Sequence, residues 1–502
     1  MNVSGKVGEL MILKLISASG HDVKIIYLML FQWREPLFYY SNSNYELVKE
    51  NIYNSKYFFL FSLFIINIIF PAMVLAQMYP PEIDPPDKPF SYFSCPTDVI
   101  GVKDGVEGTE ITPEGYLYTG YAELIFYVGE STIPFKQRIK TLEKGYLPII
   151  HYTMIHNNIA YSIEVFGATL TGNPEDNLIN FIRVVIESLD NQKRAAQFMV
   201  GVRYSDLPNL HRFSRAYPNI NSISFNPDWT YSMTNQYVAR DGKILYFFKS
   251  ILSQNPKRYW LIGVPYKNEH STRELPEPNP NVPVGLVEYE YYLLPGEKQV
   301  LEFRMPYFPI DEGATIADAV QNASHEVYRE ITINNWENVL ASGMQIRISE
   351  PKVVNTFKAS LIYNLIARDK VNDDYIQKVN EFQYDNFYLR DISFIANDYN
   401  VTGYPDFANQ VIRHSLKYQG EDGNFLTHPD QFDGFGQTLW SFGQHVAITG
   451  DLNFAREVFP SVTKAIEWLH NVRQSDPIGL ISTATPNDNE YVSGHVTGHN
   501  LW

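Results

Sequence analysis

The sequence predicts a multidomain β plus α protein: an N-terminal antiparallel β-sandwich, a linker helix, and a run of αα-hairpins. Three observations predict it. Residues 90–312 read as strands rich in β-branched and aromatic residues, with no long helical stripe among them. Near residue 313 the apolar spacing changes to three and four. From about residue 351 the chain repeats itself.

The overall composition narrows the possibilities. The chain has 502 residues, enough for two to four domains, and is 45% hydrophobic and 19% charged, close to globular averages. Forty Lys and Arg against 56 Asp and Glu give a net charge of −16, which disfavours a nucleic-acid partner. The single cysteine, Cys95, excludes an internal disulfide framework and a multi-cysteine metal site.

Tyr57 to Ala76 is an uncharged apolar run preceded by Lys56. Twenty residues could span a bilayer. Pro71 and the small-residue end Val74-Leu75-Ala76 favour a signal peptide cleaved before Gln77, with a membrane anchor as the alternative. Either implies export to the periplasm, medium or cell surface, and membrane contact only through this segment. Residues 1–55 lie upstream of where such a signal begins, and a start assigned too early would explain them. Residues 77–89 are a proline-rich linker.

In the β region, Tyr116 to Val128, Ile159 to Phe166, Leu245 to Phe248 and Leu286 to Leu293 partly alternate in polarity between Gly, Asn and Pro breaks. So many strands imply a sandwich larger than one immunoglobulin-like unit, or a barrel. Ile316, Val320, Ala323, Val327 and Ile331 predict one amphipathic linker helix within 313–350. Val353, Phe357, Leu361 and Leu365 predict the next helix, and 388–399 another. Phe407 and Val411 follow Pro405 and precede Gly420. Leu439, Phe442 and Val446 mark a further helix, and Ala455, Phe459, Val462, Ile466 and Leu469 the one after, kinked at Pro460. Leu501-Trp502 start a last one.

The segment 401–407 matches 448–454, with Thr402 and Thr449 47 residues apart. Each is a helix end, a glycine stop and the first aromatic of the next helix. Gly423-Asn424-Phe425-Leu426-Thr427 and Gly479-Leu480-Ile481-Ser482-Thr483 echo each other. The unit is an αα-hairpin, which stacks into an open solenoid or closes into a toroid.

Three segments carry a family resemblance: Tyr384 to Asp391, with Arg390-Asp391 at its end; Asp433-Gly434-Phe435-Gly436 through Trp440; and Pro486 to Glu490 followed by Gly494-His495 and Asn500-Leu501-Trp502. Taken in order, they resemble the six-hairpin, (α/α)6-barrel glycoside hydrolases, nearest the glucoamylase and glucosidase branch. In that branch a β-supersandwich precedes the barrel through a helical linker. The resemblance implies an oligosaccharide or polysaccharide substrate and no cofactor. It implies that Arg390, Asp391 and Asp433 grip sugar hydroxyls, and that the general acid lies in the loop carrying Asp488 and Glu490.

Glycoside hydrolysis needs two carboxyl groups flanking the bond, about 6.5–9.5 Å apart when the anomer inverts. The acid must hold its proton, and two neighbouring carboxyls disfavour each other's ionisation. Asp488 and Glu490 suit that role, Glu490 with the longer reach. An ordinary acidic loop is the bland reading of the same residues, a structural ion pair that of Arg390-Asp391, and a helix cap that of Asp433. Trp440 and Trp502 could stack on sugar rings or belong to the core. His495, beside the acidic loop, is a further substrate-binding candidate. With His499 it has metal-ligand spacing, but the glutamate expected between metalloprotease histidines is missing, and no metal is assigned. The sequons Asn322-Ala323-Ser324 and Asn400-Val401-Thr402 fall in predicted helices.

A twelve-helix barrel at this repeat length takes about 300 residues. Residues 351–502 supply 152. The reading is therefore the first half of an (α/α)6 toroid, inactive alone, with the catalytic base outside it and a second chain as one way to complete the ring. The function implied is an exported glycosidase, inverting, acting on an α-linked glucan. A polysaccharide lyase on the same toroid and a non-catalytic carbohydrate-binding solenoid are the alternatives.

Overall fold

The computed structural model describes residues 11–19, 22–30, 98–137, 139–204, 226–249, 256–262, 283–381, 385–428, 430–481, 483–484 and 493–502. The export segment and the proline-rich linker lie outside the described residues. Two compact units divide the chain, Met1–Met78 and Tyr79–Trp502. In the first, strands Met11–Ser19 and Asp22–Leu30 pair antiparallel.

The second unit has antiparallel sheets in its N-terminal part and helices in its C-terminal part. A nine-stranded sheet has Leu147–His156, Ile159–Ala168, Ile179–Ser188 and Lys298–Pro306 side by side. An eight-stranded sheet has Arg194–Arg203 between Val284–Leu293 and Glu123–Val128. The two share a core: Phe198 of the smaller sheet meets Tyr161 and Phe303 of the larger at 6.3 and 6.2 Å. Alternation explains it. Tyr161, Ile163 and Val165 enter this core, while Phe166 faces the other way onto Phe181, stacked at 5.0 Å. Asn157-Asn158 and Asp241-Gly242 close two hairpins, all four residues having positive φ, as two-residue turns require.

The linker is two helices, not one. Helix α1, Thr315–Asn322, ends before Ala323-Ser324, and α2, His325–Ala341, begins after it. The Ser324 hydroxyl accepts from Val327 N at 3.5 Å, a capping bond that restarts the helix in a new phase. The single stripe expected from Ile316 to Ile331 is therefore broken. Val320 and Ala323 are buried as expected, but Ile316, Val327 and Ile331 are exposed, and α2 buries Ile333, Trp336 and Leu340 instead. Helix α2 docks on the nine-stranded sheet through Arg329, which donates to Glu143 and Glu164 at 2.6 and 2.9 Å.

Five further helices of ten or more residues follow: α3 (Pro351–Ile366), α4 (Leu389–Val401), α5 (Pro405–His414), α6 (Asp433–Thr449) and α7 (Leu452–Ser475). A short α8 (Thr497–Leu501) comes last. Gly403 and Gly450, the repeated stops, both have positive φ, as do Gly423 and Gly479 in the echoing loops. Helix α4 packs on α5 and α6, and α6 on α7 and α8. Helix α7 runs through Pro460 as one helix, but its buried side is Phe454, Val458, Ala465 and Trp468. The expected stripe is about 100° away, one residue around the helix, so Phe459 and Ile466 face solvent. A hairpin, Arg368–Val371 with Asp374–Gln377, sits between α3 and α4.

Candidate active site

Helices α4 and α6 start side by side, and their first turns hold three of the sequence-predicted residues. Arg390 lies in the first turn of α4, and Thr427 Oγ1 accepts from the neighbouring Leu389 N at 3.5 Å. Asp433 is the first residue of α6, not its cap; its Oδ1 accepts from Gly434 N at 2.8 Å. Arg390 Nη1 reaches Asp433 Oδ2 at 3.5 Å, and Arg390 Nε reaches Asp391 Oδ2 at 3.7 Å. The structure thus brings Arg390, Asp391 and Asp433 together. The side chains of Arg390 and Asp391 are 32% and 37% exposed, and that of Asp433 only 9%. Burial raises the Asp391 carboxyl above its ordinary range, with Arg390 opposing and Asp433 reinforcing the shift. One guanidinium beside two carboxylates in an open position offers both donors and acceptors to hydroxyl groups.

The two glycines of the Asp-Gly-x-Gly segment have separate spatial reasons. A Cβ on Gly434 would lie 3.1 Å from Leu389 Cβ at the start of α4, and one on Gly436 would lie 2.5 Å from the carbonyl carbon of Trp502. The first glycine lets α4 and α6 approach, and the second seats the end of α8. That seat completes an aromatic cluster. Trp440 stands 5.8 Å from Trp502, and Phe394 lies 5.4 and 5.7 Å from the two indoles. Phe394 is one turn after Arg390 and Trp440 two turns after Asp433, so the cluster continues down the helix faces that carry the charged trio. It is half open: Phe394 is 43% and Trp502 48% exposed.

Asp488 and Glu490 lie outside the described residues. The segment carrying them leaves and returns at one point, where Ala484 and Gly494 exchange backbone bonds of 2.8 and 3.0 Å. His495 secures this base. Its Nδ1 donates to Ile481 O at 2.8 Å, and its Nε2 lies 3.1 Å from Asp476 Oδ2. It sits before α8 begins at Thr497, so His495 and His499 do not share a helix face. His499 is buried, with its ring edge-on to Phe432 at 6.0 Å. Among the described residues the one group with metal-ligand spacing is Glu143, His151 and Glu164, and there Arg329 already bridges the two carboxylates.

Sequence reasoning missed two features. Between 428 and 437, His428 Nδ1, Gln431 Nε2 and Gln437 Oε1 are buried without a hydrogen-bond partner among the described residues. Such atoms beside Asp433 are what a polar ligand would satisfy. The other feature lies just before Arg390. Lys378 Nζ contacts Asp369 at 2.8 Å, Asp385 at 2.6 Å and Glu381 at 3.8 Å, all of them buried. Gly108 N, from the β part, donates to Glu381 Oε2 at 3.1 Å. Beside it, Arg368 holds Asp104 at 2.6 Å. Burial pushes the Asp369 carboxyl up to about 7 against the pull of Lys378, and pushes Glu381 well above the carboxylate range.

No family model and no curated protein matches the sequence. Among solved structures, a bacterial glucoamylase complexed with acarbose superposes with a TM-score of 0.47 at 12% identity, over 80% of this chain and 61% of that one. A family GH92 α-mannosidase from Bacteroides thetaiotaomicron gives 0.36 at 10% identity, over 79% and 64%. A family GH92 inverting mannosidase from Bacteroides thetaiotaomicron VPI-5482 gives 0.32 at 11%, over 76% and 51%. The chain therefore spans less than two thirds of the length of each.

Proposed function

We propose that this chain is the sugar-gripping part of an exported glycoside hydrolase that inverts the anomer of an α-linked glucan or oligosaccharide. The observation that carries the reading is the trio Arg390, Asp391 and Asp433 at two adjacent helix starts, with the half-open Phe394, Trp440 and Trp502 cluster below it. The trio hydrogen-bonds ring hydroxyls, and the aromatic faces cover the C–H face of a pyranose. Asp488 or Glu490 donates the proton to the leaving oxygen from a loop whose two ends are stapled together at Ala484 and Gly494. Two carboxylates against one guanidinium disfavour a uronate at the same place, which weighs against a lyase. The catalytic base is unassigned. Export proceeds through residues 57–76, and a mature N-terminus near Gln77 is the expected result of sequencing the secreted protein.

Titration of the full chain with a maltooligosaccharide tests the grip. Arg390→Ala is expected to weaken binding at least about tenfold, the equivalent of one charge-assisted hydrogen bond. Turnover tests the chemistry once a longer or second chain supplies the unassigned base: glucose release with inverted anomer, abolished by whichever of Asp488→Asn and Glu490→Gln removes the acid. Full activity in both variants would remove the acidic loop from the mechanism. Unchanged binding in Arg390→Ala would remove the trio from it.

A further inference from the structure

One cleft lies away from the trio. It is about 620 Å³, within the range of small-ligand sites, and lies between the loop holding Lys103, the loop holding Thr171 and one face of α2. Lys103 Nζ lies 5.0 Å over the ring of Phe407, in the first turn of α5. Helix α5 begins just beyond the C-terminal end of α4, whereas Arg390 is at the N-terminal end of α4. A 13-residue helix is about 20 Å long, so α4 separates the two places.

The cleft's chemistry is specific. Along α2, Tyr328, Ile331, Asn335 and Asn338 follow at steps of three and four, placing all four on one face. Asn335 and Asn338 are exposed, and neither carboxamide bonds another described residue. Ile331, 41% exposed, puts an aliphatic surface between them and Tyr328. Tyr328 is held in place because its hydroxyl donates to Leu170 O at 3.1 Å. The one carboxylate of the lining, Asp104, is bound by Lys103 and Arg368. On a chain of net charge −16 this is a spot without net negative charge. Two carboxamides, each both donor and acceptor, beside a flat apolar strip fit vicinal hydroxyls and the C–H face of one ring.

We propose that this cleft is a second carbohydrate site, taking a neutral oligosaccharide independently of the trio at the far end of α4. The carboxamides of Asn335 and Asn338 bind hydroxyl pairs, Ile331 and Tyr328 cover the ring, and no bond is made or broken there. The site does not depend on the proposed catalysis, because its ligand is inferred from its own lining.

Saturation-transfer NMR on the full chain with maltopentaose and, separately, an α-linked mannopentaose tests it. Three proteins are compared: the unsubstituted chain, Asn335→Ala/Asn338→Ala and Arg390→Ala. Both asparagines are exposed, so the double variant should unfold at the unsubstituted temperature, and that melt is the control. At least one sugar should bind the unsubstituted chain, with affinity falling about tenfold in the double variant, the equivalent of two ordinary hydrogen bonds. Arg390→Ala should keep a binding event that the double variant lacks. Binding that the asparagine substitutions leave unchanged, or binding of neither sugar, overturns the proposal. Binding lost wholly with Arg390→Ala also overturns it while leaving the catalytic reading intact. Binding lost in the double variant but identical in Arg390→Ala and the unsubstituted chain would do the reverse.

Discussion

Two acidic clusters stand five residues apart in sequence, at Asp385 and Arg390, and they are built on opposite principles. Around Lys378, three buried carboxylates and one ammonium are closed off from water, with contacts from 2.6 to 3.8 Å. Around Arg390, two carboxylates share a guanidinium at 3.5 and 3.7 Å with about a third of the Arg390 and Asp391 side chains exposed. The first cluster ties Gly108 of the β part to the segment leading into α4. The second has long contacts and open sides. Charges of the same kinds are buried to hold the joint in one place and left part-exposed in the other. Removing a charge should therefore cost stability in the first and function in the second.

Lys378→Met should give the largest effect. It leaves Asp369, Glu381 and Asp385 buried without their cation, and breaking a buried pair from one side costs about 3–5 kcal/mol. Denaturant unfolding of the full chain measures this. A loss below about 1 kcal/mol would mean that the carboxylates are all neutral already and that the joint does not depend on the lysine.

The same joint should respond to pH. Burial, opposed by Lys378, raises Asp369 to about 7 in the folded chain, and burial also raises Glu381 and Asp385. Each therefore keeps its proton longer when folded than when unfolded. For Asp369 the stabilising contribution is complete below the ordinary carboxylate pKa near 4 and is lost as pH rises through about 7, and Glu381 and Asp385 act in the same direction. Lys378, raised further by the carboxylates around it against its own desolvation, stays charged throughout this window. For Asp369 the expected loss between pH 4 and 7 is on the order of 3 kcal/mol. Unfolding curves across that range should flatten in Asp369→Asn. An equal slope in both proteins would show that this aspartate is ionised from the start.

These clusters differ also in how far the sequence reveals them. Arg390, Asp391 and Asp433 could be picked out because each lies at a helix start marked by local signals, the aromatic run before Arg390 and the Asp-Gly-x-Gly after Phe432. The glycine stops at 403 and 450 were legible for the same reason: a left-handed position leaves a local mark. The joint at Lys378 leaves none. Its members come from 107–108, 369 and 378–385, and scattered charges of that kind read as solvated surface until the fold buries them. The aromatic cluster needs Phe394 of α4, Trp440 of α6 and Trp502 just past α8, and only the two indoles stood out in the sequence. The break between α1 and α2 was hidden because the apolar spacing runs straight through Ala323-Ser324, while Ser324 as a cap decides the phase. The rotated face of α7 shows the remaining gap, since period alone does not say which side meets a neighbour.

Gly436→Ala probes the border between the two kinds of site. Its Cβ would meet Trp502 backbone atoms at 2.5 and 2.6 Å, so the end of α8 must move. Overpacking of this sort costs about 1–3 kcal/mol. Tryptophan emission should shift as Trp502 leaves Trp440 and Phe394. If emission and stability both hold, the seat of α8 is looser than the close approach implies, and the aromatic cluster cannot depend on it.

Arg390→Ala should give the smallest effect on stability and is the sharpest test of the contrast. The guanidinium lies at the outer limit of hydrogen bonding to Asp433 and beyond it to Asp391, and exposed pairs of this kind contribute about 0–1 kcal/mol. Its removal leaves Asp391 beside Asp433 with no cation between them. Burial already raises Asp391, and the remaining carboxylate would raise it further. The melting curve should therefore move little at neutral pH, while maltooligosaccharide affinity falls about tenfold. If Arg390→Ala instead destabilises the chain as much as Lys378→Met, the trio is a structural joint like its neighbour. Its place beside the open aromatic faces would then say nothing about sugar.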